Sequence, residues 1–357
     1  MLLPSTPPSS GPPSAYGSTS PPGPPTIRFS SSPAFVPPIP YDKFLPSSSR
    51  HLAYPSEIPQ VTPELLVYLP STQLTRIRLT QALTDVVSLH PCFNVRHFTH
   101  RIEAMIAWGQ SLEQAFDPGP PKSKLELARE LFLPEGGKQR RESTSPKPTL
   151  SFFAATAAAF ALGALVSRDE QRTGDSTSNH PGASREAHGT SHPAVLFALS
   201  EQALDLFEKT SPYDVDSLVA MILQVLYQLH DGQARIGQKV FPLVGKMINV
   251  ARMMGLAIDP DEFAGTFSLF DAEARRRVWW DIFYFDVFVS DCVGHPTLIA
   301  DHTFNTKLPA EVDEEKFSPS STSLPVPTSE EHCENSSAYM VLKCRCAYSS
   351  TDITCRF

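Results

Sequence analysis

Four cysteines near the C-terminal end, Cys333, Cys344, Cys346 and Cys355, are the first residues to weigh for chemistry, because thiolates are preferred ligands of structural zinc. Their intervals of eleven, two and nine residues match no standard zinc site. His97 and His100, with His90 nearby, could face one another on a helix. The run His97-Phe98-Thr99-His100 lacks the glutamate of a metalloprotease helix, so these read as scattered polar histidines. No phosphate-cradling glycine loop, nucleophile elbow or kinase signature occurs among the 17 glycines. Ser, His and Asp side chains are present, as in any chain of 357 residues, and without geometry they define no triad. The sequence therefore offers no catalytic, cofactor-binding or metal site, and it does not read as an enzyme.

A second cluster is richer. Arg275-Arg276-Arg277 leads into Val278-Trp279-Trp280, and the aromatic run continues through Phe283, Tyr284, Phe285 and Phe288. At about 100° per residue the three arginines point in different directions, so they form no DNA-contacting patch, and Arg277 lies one turn before Asp281, the spacing of a local ion pair. Aromatics at helical spacing are core residues in the first instance and pocket walls in the second. Asp286 is the informative position. With Val278 at zero, a helical wheel puts Ile282 at about 40°, Asp286 at about 80°, Trp279 at about 100° and Phe283 at about 140°. A carboxylate within that apolar face needs pairing or backbone N–H donors, with Arg252 on the preceding helix the first candidate, unless the face opens to water at this turn.

These residues must be positioned by helices. Residues 1–57 are rich in Pro, Ser, Gly and Thr, with 16 of the chain's 35 prolines in the first 60 residues, and they read as a disordered arm. Order should begin near Pro59, where Leu and Val recur at helical intervals through Trp108, giving two or three helices. Two polar inserts follow, Pro134–Pro148 and Arg168–Pro193, around the alanine-rich stretch Ser151–Val166. That stretch is too short to span a bilayer and reads as a buried core helix with Thr149 as a candidate N-cap. Lys138-Gln139-Arg140-Arg141 in the first insert is either a short import signal or a solvated basic patch. Helices are predicted over Val195–Lys209, after a cap at Asp214 or Asp216, and from about Gln233 to Met254, where Pro242 should kink or divide the element. The strongest runs from Asp271 to Cys292. Ser337–Arg345 opens another helix, and periodicity is lost from Cys346 onward. No strand-like alternation competes, so the fold class is all-α, an irregular multi-helix bundle or array. The formal charge of −8, from 38 acidic and 30 basic residues, supplies no field that would attract nucleic acid or an anionic membrane. The six cysteines follow no secreted scaffold pattern, which points to a reducing compartment.

Arg275, Arg277, Trp279 and Trp280, then Asp286, then Gly294-His295-Pro296 and Leu308-Pro309, preceded by a helix ending Ala251-Arg252-Met253-Met254-Gly255-Leu256, together resemble the middle homology region of fungal zinc-cluster transcription factors. No single piece is specific; the order and spacing are. The resemblance covers 194–310 well and extends plausibly from Pro59. His295 departs from the family's arginine, and no stretch of this sequence contains the family's six-cysteine cluster.

The resemblance implies a nuclear transcription regulator whose helical regulatory domain acts through protein partners, by homo- or heterodimerisation, or through a small-molecule effector. DNA contact and zinc would belong only to a module that this sequence does not contain. The corresponding organisation is an arm at 1–57, N-terminal helices at 58–133, polar loops around the buried helix at 134–193, the regulatory core at 194–310, and a linker with a truncated end at 311–357. The rival readings are a cluster-less heterodimerising regulator and a helical scaffold unconnected with transcription.

Overall fold

The computed structural model describes residues 38–44, 59–114, 148–174, 192–232, 235–300, 302–327 and 336–354. All regular elements among the described residues are helical: α1 (Pro63–Leu66), α2 (Gln73–Val87), α3 (Val95–Gln114), α4 (Leu150–Gly174), α5 (Pro193–Thr210), α6 (Val215–His230), α7 (Phe241–Met253), α8 (Leu269–Val293) and α9 (Ser336–Thr354). This is the all-α, multi-helix architecture that the hydrophobic periodicity predicts.

The core is built around α4. Thr149 Oγ1 accepts from Phe152 N at 3.2 Å to start the helix, and Phe152, Phe153 and Phe160 are each at most 1% exposed. Alanines at 154, 155, 157, 158, 159 and 161 present almost no bulk, so α2, α5 and α6 can all lie against the helix. At Gly163 the approach of α2 is so close that a Cβ would run into the Leu79 carbonyl. The stretch Leu150–Ser167 has a mean hydropathy of 1.9, enough by length and composition to cross a membrane, and 83% of it is buried inside the protein. The helix runs further than the apolar pattern suggests, to Gly174. Ser167-Arg168-Asp169-Glu170-Gln171-Arg172 has no apolar stripe, but its straight-chain residues favour helix and need no core to extend one.

Of the two candidate caps for α6, Asp214 is the one used: its Oδ1 accepts from Ser217 N at 2.8 Å, and its own N–H donates to Ser217 Oγ at 3.2 Å. Asp216 instead pairs with both Arg101 guanidinium nitrogens, at 2.8 and 2.6 Å. Every side chain from Ser217 to Tyr227 is buried. Pro242 divides the next element. A π-helical turn, Ile236–Val240, precedes it, and α7 begins at Phe241 with proline in the first turn, where its missing N–H costs nothing. Ser268 caps α8 by accepting from Asp271 N at 3.1 Å. Gly294, at φ 71°, ends it in the left-handed region that glycine enters freely.

Two further expectations are corrected. The arm is not wholly without structure: Phe44 is 0% exposed, and Ile39 exchanges hydrogen bonds with Gln202 of α5 at 2.9 and 2.6 Å, so an apolar residue inside a proline-rich run finds a place in the core. Periodicity also does not stop at Cys346. Met340, Cys344 and Ala347 form a buried stripe on α9, which continues to Thr354 against α8. The insert Pro134–Pro148, apart from its last residue, and the import candidate at Lys138–Arg141 lie outside the described residues.

Candidate functional site

The seven motif residues fall on α8 and the turn that follows it, and α8 is where the molecule concentrates its buried charge. The three arginines diverge as the wheel requires. Arg275 lies over the Phe267 ring, 4.2 Å from its centroid. Arg276 donates from Nε and Nη2 to the two oxygens of Asp259, at 3.0 and 2.8 Å, and Nη2 lies 2.9 Å from Asp261. Burial alone would raise Asp259, but the arginine and the N–H groups of Lys307 and Asp261 outweigh it and hold the carboxyl well below its usual range. Arg277, only 3% exposed, meets Glu273 at 3.3 Å and Glu314 at 2.6 Å. Its burial opposes the charge, and Glu314 with Glu273 more than offsets that.

The i,i+4 pair expected between Arg277 and Asp281 does not form. Asp281, 0% exposed, faces α9: Lys343 Nζ donates to its Oδ1 at 2.7 Å and to the Leu89 carbonyl at 2.8 Å. His90 Nδ1 stands 3.2 Å from the same carboxylate oxygen and 3.1 Å from the amine, and its ring stacks on Phe285 at 4.9 Å. Burial pushes Asp281 up, and Lys343 followed by His90 pulls it down further, leaving it below the ordinary carboxylate range. His90 is therefore not a stray polar residue. It joins the α2–α3 turn to α8, and Lys343 joins α9 to both. His97 is half-buried, edge-on to Phe270 at 4.9 Å, with its pKa lowered to about 4 by burial and then by Arg101. His100 is exposed.

Asp286 is 1% exposed, as its position on the apolar face requires, but Arg252 is not its partner. Its oxygens accept from the backbone N–H groups of Leu298 and Ile299, at 2.9 and 2.7 Å. Arg252 is exposed and donates instead to the Leu298 carbonyl at 3.2 Å. The acid thus ties the segment after α8 back onto α8. Burial raises its pKa, with the two N–H donors opposing. Gly294 and Pro296, both exposed, form the turn between Asp286 and its partners, and His295 stacks on Phe241 at 5.6 Å.

Most of the aromatic run is core, although Tyr284 is half-buried and Phe288 exposed. Trp279, Phe283 and Phe285 are 0% exposed, and Trp280 donates its indole N–H to the Lys307 carbonyl at 2.8 Å. Phe304 fills the space between Trp279, Trp280 and Phe283, with centroids 5.4 to 5.7 Å away. No group of His, Cys, Asp and Glu among the described residues is arranged to hold a metal ion. Cys344 is buried on α9 and Cys346 exposed, so the two face different ways, while Cys333 and Cys355 lie outside the described residues. What this arrangement can do is mechanical: α8 anchors Glu314, Asp259, the α2–α3 turn, the segment at 298–299 and α9 through single buried charges.

Asp259, Glu273, Asp281, Glu314 and Lys343 were missed as site residues. The signal that could have found them is the excess of charged residues at apolar-face positions of α8, each of which demands a counter-charge from elsewhere.

Comparison with known proteins places this geometry. The chain is 30% identical over 148 residues to the pyrrolocin cluster transcription factor fsdR of a fungal species, an alignment covering 42% of this chain and 18% of that protein. It is 35% identical over 121 residues to the Zn(2)-C6 fungal-type transcription factor pigI of Monascus ruber, covering 34% and 14%. It is 25% identical over 189 residues to an uncharacterized transcriptional regulatory protein of Schizosaccharomyces pombe, covering 53% and 22%. The matches thus take in less than a quarter of each relative's length. No solved structure matches. A family model described as "Fungal specific transcription factor domain" matches residues 126–345, more than half of the sequence, including all of α4 to α8 and the buried Lys343 of α9. The chain belongs to the fungal-specific transcription factor domain family.

Proposed function

We propose that this chain is the helical regulatory part of a nuclear transcription regulator, working through a protein partner or a small effector and leaving DNA contact to a separate module. The observation that carries the reading is the fate of the cationic cluster on α8. Arg276 and Arg277 are buried in ion pairs with Asp259, Asp261, Glu273 and Glu314, so the most arginine-rich helix among the described residues has no guanidinium pair to spend on phosphates. An arginine helix used this way organises a domain. Family membership and the names of the relatives supply the transcriptional context.

The test is a reporter assay in a fungal host with the full chain fused to a heterologous DNA-binding module. The reading expects reporter output to differ from that of the module alone, and the difference to vanish with Asp281→Lys, which breaks the α8–α9 link. A fusion that is expressed and nuclear yet leaves output unchanged would overturn it. In a mobility-shift assay at physiological salt, the chain without the fused module is expected to give no sequence-specific shift, and elemental analysis is expected to find no stoichiometric zinc. A shift that survives competitor DNA, or one zinc per chain, would contradict the assignment.

A further inference from the structure

One cleft in the molecule lies away from the α8 network and has a charge pattern of its own. It runs between α5 and the π turn with α7, over a floor provided by α6, and has a volume of about 310 Å³. One wall is acidic, with Glu201 and Glu208 seven residues apart along one face of α5, and the facing wall is basic, with Lys239 on the π turn and Lys246 on α7. The floor is amide: Gln224 and Gln228, one helical turn apart. Gln224 is 4% exposed and donates to Ser200 Oγ at 3.0 Å.

The two ends of the cleft differ. At one end Lys246 Nζ meets the Glu208 carboxylate at 2.6 Å and closes the groove. At the other end Glu201 and Lys239 feel each other's charge but form no hydrogen bond or ion pair, and both are exposed. On the floor of the same cleft, Gln228 Oε1 is shut off from solvent without a hydrogen-bond partner. Buried carbonyl oxygens are rarely left unsatisfied, so a donor is called for at this point.

We propose that this open end is a binding site for a small zwitterion, a molecule of free amino-acid size carrying one carboxylate and one ammonium group. The carboxylate lies toward Lys239, the ammonium toward Glu201, and an N–H of the ammonium satisfies Gln228 Oε1. A purely anionic ligand would meet the acidic wall and a purely cationic one the basic wall, so the separated charges select a molecule that has both. The volume suits about ten heavy atoms, at the lower limit of small-molecule pockets. The assignment rests on the proposed function above, in that it gives the effector a chemical class and a place.

The test is isothermal titration of the full chain with glycine, L-alanine, L-glutamine, β-alanine and γ-aminobutyrate, beside acetate and ethylamine as single-charge controls. At least one zwitterion should bind saturably and raise the melting temperature, and neither control should do so. Glu201→Lys and Lys239→Glu alter exposed side chains, and their folding is checked by circular dichroism. Each should weaken binding by about tenfold or more, the loss of one charge-assisted contact. The double exchange should restore it, because a zwitterion can turn round in a site of reversed polarity, which a merely structural role for the two residues would not allow. Absence of saturable binding by every zwitterion at millimolar concentration, equal binding by the controls, or failure of the double exchange to rescue would overturn the proposal. Binding with rescue but no ligand response in the reporter assay would uphold the cleft and count against the effector reading.

Discussion

Two helices of the same length, α4 and α8, each 25 residues and each buried for most of its course, are held by opposite means. Between Phe152 and Leu162 α4 has no charged residue, and it is located by shape: a row of alanines and the Gly163–Leu79 approach allow only one depth of packing. Residues 273–286 of α8 bury Glu273, Arg276, Arg277, Asp281 and Asp286, each matched to a specific group on another segment, Glu273 to the Ala310 N–H at 2.9 Å. Apolar packing is forgiving of small slips. A buried charge is not, since moving it off its partner leaves an ion without solvation. The core is thus filled from one helix, and its segments are held in register by the other.

Among the contacts of α8 with the loops around it, the largest effect should come from Arg277→Met. It takes the nearer arginine from the 0% exposed Glu273 carboxylate, which keeps only the Ala310 N–H at 2.9 Å and Arg276 at 3.9 Å, and unbalancing a buried charge in this way costs about 3–5 kcal/mol. Urea denaturation should show the native state all but lost. Asp286→Ala comes next, leaving the Leu298 and Ile299 N–H groups without an acceptor, at about 2–3 kcal/mol. Arg252→Ala should cost under about 0.5 kcal/mol, as for an exposed side chain. An Arg252 loss as large as that of Asp286 would restore the direct pair that the geometry denies.

On the shape side, Gly163→Ala should cost about 1–3 kcal/mol by forcing α2 and α4 apart, with Ala164→Gly as the control for helix propensity. A neutral result would mean that α4 is not depth-limited.

The smallest effect is a pH slope. Burial, then the neighbouring Asp216, pushes Asp214 up to about 6, so the folded state holds this proton more tightly than the unfolded chain does. Its stabilising contribution is complete below about pH 4 and is lost as pH rises toward 6. Asp259 runs the other way: its depressed pKa gives stability above about pH 4 that is lost on further acidification, so the two windows are separate. Asp214→Asn keeps a good N-cap and should remove the falling contribution between pH 4 and 6, so that the melting temperature rises more steeply across that window with His97, whose lowered pKa favours the fold as pH climbs, without altering the acid limb.

The sequence was legible where the information is local. Apolar spacing located the helices, Thr149 and Pro242 marked ends, and the wheel position of Asp286 correctly placed a carboxylate inside. What it could not supply was the identity of distant partners. The i,i+4 spacing of Arg277 and Asp281 suggested a pair, but Glu314 and Lys343 reach the same charges from segments folded far away in the chain, and burial makes those contacts stronger than a surface helix pair. The N–H groups that hold Asp286 carry no side-chain signature at all. Ala347 hid the continuation of α9, because a single small residue is a faint apolar signal among Ser, Thr and Tyr.

The claim that charge sets the register of α8 against α9 is tested most directly by a double-mutant cycle on Asp281→Leu and Lys343→Met, followed by urea denaturation. Each single change should cost about 3–5 kcal/mol, because it leaves one buried ion alone, and the double variant should recover most of that loss, giving a coupling above about 2 kcal/mol. Single changes that each cost under about 0.5 kcal/mol and simply add would show that the lysine and the aspartate do not hold α9 in place.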